Sequence, residues 1–268
     1  MKRLTVISGL VLTGLVVTAA LLSLVWTPFD PTLVDQAPRF QPPGWPHLLG
    51  TDSMGIDTLS RILVGARMVL LVGIAAVALA GVVGIPLGVL AGMRRGVADE
   101  VMGRAGDVLF ALPALLLAIL LAAAVGASVG TAMVAIGVAT IPVFWRMARA
   151  ATLTVMSLDY IDAARMAGSS GPAIALRHVL PNIAPLLGIQ ASASFGMAIL
   201  AEAGLSYLGL SSPRTTPTWG RMLKDANIFT APFQAVIPGV AIALAVLGFT
   251  LLGDGLRDYL DPRLKEVR

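Results

Sequence analysis

The sequence predicts an all-α, polytopic membrane protein with about six transmembrane helices. Three observations predict it: an apolar composition, apolar runs too long for a soluble core, and a lopsided distribution of Lys and Arg between the segments that join those runs. Hydrophobic residues make up 57% of the 268 and charged residues 13%, whereas an average soluble domain is roughly a quarter charged. A hydrocarbon layer roughly 30 Å thick asks a helix for about 20 consecutive apolar residues. One membrane domain is the natural count.

The first run, Leu4 to Trp26, follows Lys2 and Arg3. A cleaved signal would have an apolar region of about 7–15 residues and a small-x-small cleavage site. This run is longer and leads into Leu-Ser-Leu-Val-Trp-Thr-Pro, so it reads as an uncleaved span, residues 1–26. Residues 27–66 hold Pro28, Pro31, Pro38, Pro42, Pro43 and Pro46 and read as an extended loop outside the membrane. The second run, Met68 to Met93, is charge-free, and its Gly84, Gly88 and Gly92 fall on one helix face as small surfaces for a close helix contact.

Between Asp107 and Arg146 the chain carries no charge at all. A straight helix of that length, at about 1.5 Å per residue, would be nearly twice as long as the apolar layer is thick. It has to turn back, and Gly126-Ala-Ser-Val-Gly130 offers a tight turn, which places Asp107 and Arg146 on the same side. A fifth span is expected over 182–203 and a sixth over 233–252, so both termini share one side. That side carries thirteen of the nineteen Lys and Arg, with Arg39, Arg61, Arg67, Arg214, Arg221 and Lys224 on the other. By the positive-inside tendency both termini are expected in the cytoplasm, and the expected location is the plasma (inner) membrane.

Several function classes are excluded or disfavoured. Without cysteine there is no disulfide framework, zinc–thiolate site or thiol nucleophile. The basic residues flank membrane spans and form no basic domain for nucleic acid. Only Lys2, Lys224 and Lys265 are present and none follows a glycine, so no Gly-Lys-Ser/Thr loop can cradle nucleotide phosphates. The chain is read as a non-enzyme that binds no cofactor of its own.

The most informative segment lies between the fourth and fifth spans, over 157–181. It reads Tyr160-Ile-Asp-Ala-Ala-Arg-Met-Ala-Gly168, then Ser-Ser-Gly-Pro-Ala-Ile-Ala-Leu-Arg-His-Val-Leu180-Pro181. The expected shape is a short helix, a break at Gly168, a second short helix begun by Pro172, and a new start at Pro181. Asp162-Ala163-Ala164, Gly168 and Leu180-Pro181 resemble the Glu-Ala-Ala…Gly…Leu-Pro loop of binding-protein-dependent importer permeases, with Asp162 in place of the commoner glutamate. Leu49-Gly50-Thr51-Asp52 through Asp57 to Arg61, Glu202-Ala-Gly-Leu-Ser-Tyr207-Leu-Gly209, and Leu252-Gly253-Asp254-Gly255 through Asp261-Pro262-Arg263 are similar to further segments of the peptide and nickel branch. Ile56 and Ser211 depart from the usual Arg and Gly.

The resemblance implies a type I importer permease fold in which residues 67–253 form the core and 254–268 a cytoplasmic tail. It also implies that Asp162, Ala163, Ala164, Gly168, Leu180 and Pro181 form the loop that couples to an ATPase. The implied partners are a second homologous permease, two cassette ATPase subunits carrying ATP and Mg, an extracytoplasmic solute-binding protein and the lipid bilayer. Gln190, Ser192, Ser194 and Glu202 give the fifth span its polar character and are the candidates for the pathway. Asp254, Arg257 and Asp258 have the spacing to pair on one helix face, and His47 reads as a loop residue. The rival readings are an ion-gradient-driven secondary transporter, which normally needs paired intramembrane charges, and a non-transporting membrane scaffold.

Overall fold

A computed structural model describes residues 2–94, 96–111, 113–211, 213 and 216–260. The close of the C-terminal signature, Asp261-Pro262-Arg263, and the rest of the tail to Arg268 lie outside the described residues, as do Arg95 and Arg214. The architecture is all-helical: α1 (Lys2–Val25), α2 (Thr58–Met93), α3 (Val97–Ala111), α4 (Ala114–Val125), α5 (Val129–Met156), α6 (Asp159–Met166), α7 (Gly171–Ile174), a π turn (Ala175–Val179), α8 (Leu180–Leu208), α9 (Trp219–Asp225) and α10 (Phe233–Leu260). Among the described residues five helical segments are long and apolar enough to span a membrane, and α3 with α4 makes a sixth if the bent pair counts as one span.

α1 and α10 run antiparallel in close contact because glycines open the space. Gly9 faces the backbone of Leu251 and Leu252, Gly248 faces Leu12 and Thr13, and Gly255 faces Val6. This alignment brings the start of α1 and the end of α10 to the same end of the bundle.

α2 and α5 run in parallel, with the three glycines of α2 against α5. A methyl on Gly84 would lie 2.8 Å from the Ile141 carbonyl, one on Gly88 2.5 Å from the Trp145 carbonyl, and one on Gly92 2.7 Å from Thr152 Cβ. The glycine face expected from sequence is thus a close helix seam. α2 itself starts ten residues before its apolar run, inside the stretch read as extended loop. Asp57 explains the early start: its Oδ2 accepts from the Ser60 N–H at 2.8 Å and caps the helix. With 36 residues α2 is about 54 Å long, well beyond the hydrocarbon thickness, so its first turns stand in the outer loop.

That outer loop is packed rather than extended. His47 Nδ1 lies 2.9 Å from Asp57 Oδ1 with both side chains buried, and Phe29 packs on the His47 ring at 4.3 Å. Arg61 pairs with Asp52, and Gln234 of α10 donates to the Thr51 carbonyl at 2.8 Å. Trp219 of α9 seats against Gly65 and donates its Nε1–H to the Ile62 carbonyl at 3.0 Å.

The apolar stretch 108–145 does turn back, at Gly126 with φ +97 and Ser128 capping α5. Arg146 and Asp107 meet at 2.5 Å, so they share a side as expected. The third span is not a straight helix, however. α3 and α4 meet at an angle of 86° next to Pro113, which caps α4. At 12 residues α4 is about 18 Å long and cannot cross the layer alone.

Two further expectations are corrected. The second short helix and the fifth span are not separate, because helix runs without interruption from Gly171 to Leu208. Pro181 lacks an N–H and its ring would crowd the carbonyl four residues back. The preceding π turn, in which the Leu180 N–H reaches the Ala175 carbonyl, widens the backbone and lets the helix continue. The sixth helix extends to Leu260, and no ion pair within 4 Å joins Asp254, Arg257 and Asp258 among the described residues.

Candidate functional site

The elbow between α5 and α8 emerges at the end of the bundle that holds the start of α1 and the end of α10. Its inner face is apolar and closed: Ile161, Ile174, Val179 and Ile183 are all at most 3% exposed and pack with Val155 and Val89. Its outer face is open. Asp162, Ala163 and Gly168 are exposed, Ala164 is half-buried, and Met166 is 84% exposed, an apolar side chain set at the tip.

The turn at the tip follows from glycine. Gly168 has φ +82, its N–H reaches the Arg165 carbonyl at 2.9 Å, and the Ser169 N–H reaches the Ala164 carbonyl at 3.0 Å. These two bonds close α6 in a Schellman arrangement, which needs the left-handed residue that glycine supplies cheaply. A methyl at Gly168 would meet nothing within 4 Å, so the constraint is on conformation and not on space. Ser170 then accepts from the Ala173 N–H and starts α7, with Pro172 in its first turn.

Within the elbow Asp162 sits in the first turn of α6, where a negative charge suits the helix dipole, and takes Arg165 Nη1 at 2.8 Å. Leu180 is half-buried and Pro181 exposed where the π turn passes into α8. Asn182 bonds the His178 carbonyl at 2.7 Å and Tyr160 Oη at 3.2 Å, and the rings of Tyr160 and His178 lie 6.0 Å apart. Tyr160 and Asn182 therefore fasten α6 to the foot of α8. Sequence reasoning did not single them out, because a separation of 22 positions hides the contact.

Higher in the bundle, α5, α8 and the α3–α4 break enclose a cavity of about 390 Å³. Gln190 and Ser194 line it and bond each other at 3.0 Å, with Thr140, Phe110, Pro113 and Met197 as further walls. Ser192, on the other side of α8, donates to the Phe249 carbonyl at 2.6 Å and ties α8 to α10. Glu202 is 1% exposed; its Oε1 accepts from Ser211 at 3.1 Å and its Oε2 has no partner. The four polar residues grouped by sequence thus occupy three environments, and two of them face one cavity. The remaining walls come from the α3–α4 break beside Pro113, which sequence reasoning did not use.

A second, charged cavity of about 560 Å³ lies between α3 and α5. Arg149 grips both oxygens of Asp99 at 2.5 Å, and Arg146 holds Asp107 while lying 4.5 Å from the Phe110 ring centroid. Gly103 and Gly106 rest on the Trp145 ring. Polar side chains thus hold the bent third span to α5 on the side of the chain ends.

Residues 84–266 match the model of the binding-protein-dependent transport system inner membrane component family. A protein of Brucella suis named as a peptide transport system permease is 41% identical over 99% of this chain and 90% of its own length. The dipeptide transport system permease protein DppC of Alkalihalophilus pseudofirmus is 37% identical over 98% of this chain and 87% of its own. The glutathione transport system permease protein GsiD of Pectobacterium atrosepticum is 40% identical over 83% and 75%. A helical bundle of five to six spans, a projecting elbow beneath it and these similarities agree: the chain belongs to the family of inner membrane components of binding-protein-dependent transport systems, and it is a transport permease.

Proposed function

We propose that the chain is the permease subunit of an ATP-driven importer and that its cargo is a di- or oligopeptide. The peptide reading rests on the relatives, which are named for peptides, dipeptides and glutathione, itself a small peptide. In this reading a second, homologous permease completes the pathway and a solute-binding protein delivers cargo from outside. Two cassette ATPases, with their ATP and Mg, sit under the elbow. The excess of Lys and Arg on the side of the termini supports placing both termini in the cytoplasm of an inner-membrane protein.

One observation carries the coupling role. The elbow and the cavity are parts of a single rod, since helix is continuous from Gly171 through Gln190 and Ser194 to Leu208. Nineteen residues separate Gly171 from Gln190, about 28 Å along the axis. A displacement imposed where this helix begins, just past the tip, is passed along it through the π turn to the cavity wall. Closing and opening of the ATPases would tilt this rod between two packings, exposing the cavity to one side and then the other. Binding of nucleotide and of the loaded binding protein biases the two states. Glu202 has no buried cationic partner among the described residues, which leaves the ion-gradient reading without its usual charge pair.

The test is Gly168→Asp. The position is exposed and aspartate tolerates the left-handed region better than most residues, so insertion and assembly should survive. Peptide uptake into cells or vesicles should fall at least about tenfold, the result of losing on the order of one or two docking contacts. Normal uptake by this variant would remove the lever.

A further inference from the structure

α2 carries a second stripe beside its glycine face. Leu71, Ile74, Ala78, Val82, Pro86 and Leu90 are all exposed and follow one another at three- and four-residue spacing. Val82 is 74% exposed and Leu90 50%, so this side faces the hydrocarbon layer. Near the end of the bundle that holds the termini, the stripe runs into a groove of about 650 Å³ between the last turns of α2 and the α7–π segment. Pro86, Leu90, Met156, Ile174 and Leu176 make its walls apolar, and Leu176 is 65% exposed into it. The next residue of the stripe, four beyond Leu90, is Arg94, exposed where α2 ends. Arg165 of α6 lines the same groove.

We propose that this groove is a binding site for one anionic phospholipid. An acyl chain lies along Pro86, Leu90 and Leu176, and the phosphate sits at the mouth with Arg94 and Arg165. Continuity with the lipid-facing stripe means that a chain enters sideways and never leaves the hydrocarbon. The depth fits as well, since the arginines follow the apolar run as headgroups follow acyl chains. Charge favours an anionic head. Arg94 has no ion pair within 4 Å among the described residues, and Arg165 shares Asp162 in a pair that is half-exposed, so the mouth keeps net positive charge. Guanidinium matches phosphate with two parallel N–H···O bonds, and basic pockets between helices at the membrane surface select acidic lipids. The site depends only on the bilayer and stands whether or not the importer reading does.

The experiment uses the full chain, in its purified complex, in phosphatidylcholine vesicles. Each sample is doped with phosphatidylglycerol or phosphatidylcholine bearing the same photoactivatable acyl chain, and adducts are mapped by mass spectrometry. Adducts on the segments around Leu90 and Leu176 should form about tenfold more with phosphatidylglycerol. The double variant Arg94→Gln, Arg165→Gln should bring the two lipids level there, while labelling of the exposed face of α1 stays unchanged and reports intact insertion. Equal labelling by both lipids in the unmodified chain would overturn the proposal. So would a preference that persists in the double variant, or groove segments that carry no lipid adduct because a protein partner covers them.

Discussion

Asp57 does two things at once. One carboxylate oxygen caps α2 through the Ser60 N–H and the other takes the ring of buried His47. Asp57→Ala should lower the thermal unfolding midpoint in detergent, by the about 1–2 kcal/mol of a lost cap and further for stranding a buried imidazole. Asp57→Asn keeps an acceptor for the cap and should fall between the parent and the alanine variant. Equal midpoints for both variants would contradict this division of roles. Asp57 stood out in the sequence as part of a family-like segment, yet its bond to His47 did not. Nine residues of loop separate them, and no periodicity encodes a contact made by an irregular backbone. Gly168 was the opposite case. Its place between an acidic helix and a Ser-Ser-Gly-Pro start already required a break, and a positive φ is what the structure shows.

At the scale of elements, the seam between α2 and α5 was legible because small residues four apart give a helix one flat side. Gly88→Leu should break it, since a Cβ there already meets the Trp145 carbonyl at 2.5 Å and the Ala148 methyl at 2.7 Å, backbone and core that have nowhere to go. Overpacking of this kind costs about 1–3 kcal/mol or more. Gly81→Leu, on the same helix, would find only Ile85 at 3.5 Å and should be tolerated. The comparison is read as the yield of monodisperse protein after mild heating, with the first variant depleted and the second near the parent. The bend before α4 and the π turn before Pro181 were not legible. Apolar runs report how much chain the membrane holds but not whether it is straight, and at Pro181 a proline that normally marks a start was absorbed by widening one turn.

For the whole molecule, the class, a span number of five to six and the shared end of the start of α1 and the end of α10 were legible, since these follow from run lengths and from where charges stop. The geometry of the interior was less accessible. Gln190, Ser192, Ser194 and Glu202 were the candidates for the pathway, but helical spacing puts Ser192 against α10 and Gln190 with Ser194 against the cavity. What unites the molecule is the rod from Gly171 to Leu208, exposed at its foot and cavity-lining at its middle. In the proposed reading, the elbow at its foot is where the ATPase attaches. Because the chain contains no cysteine, Met166→Cys places a single thiol at the 84%-exposed tip without background. Crosslinking this thiol within the purified complex, with and without ATP, is the direct measurement. A specific adduct to an ATPase subunit, with a yield that changes with nucleotide, is expected. A thiol that labels freely from solvent in the assembled complex and joins no ATPase in either condition would contradict it.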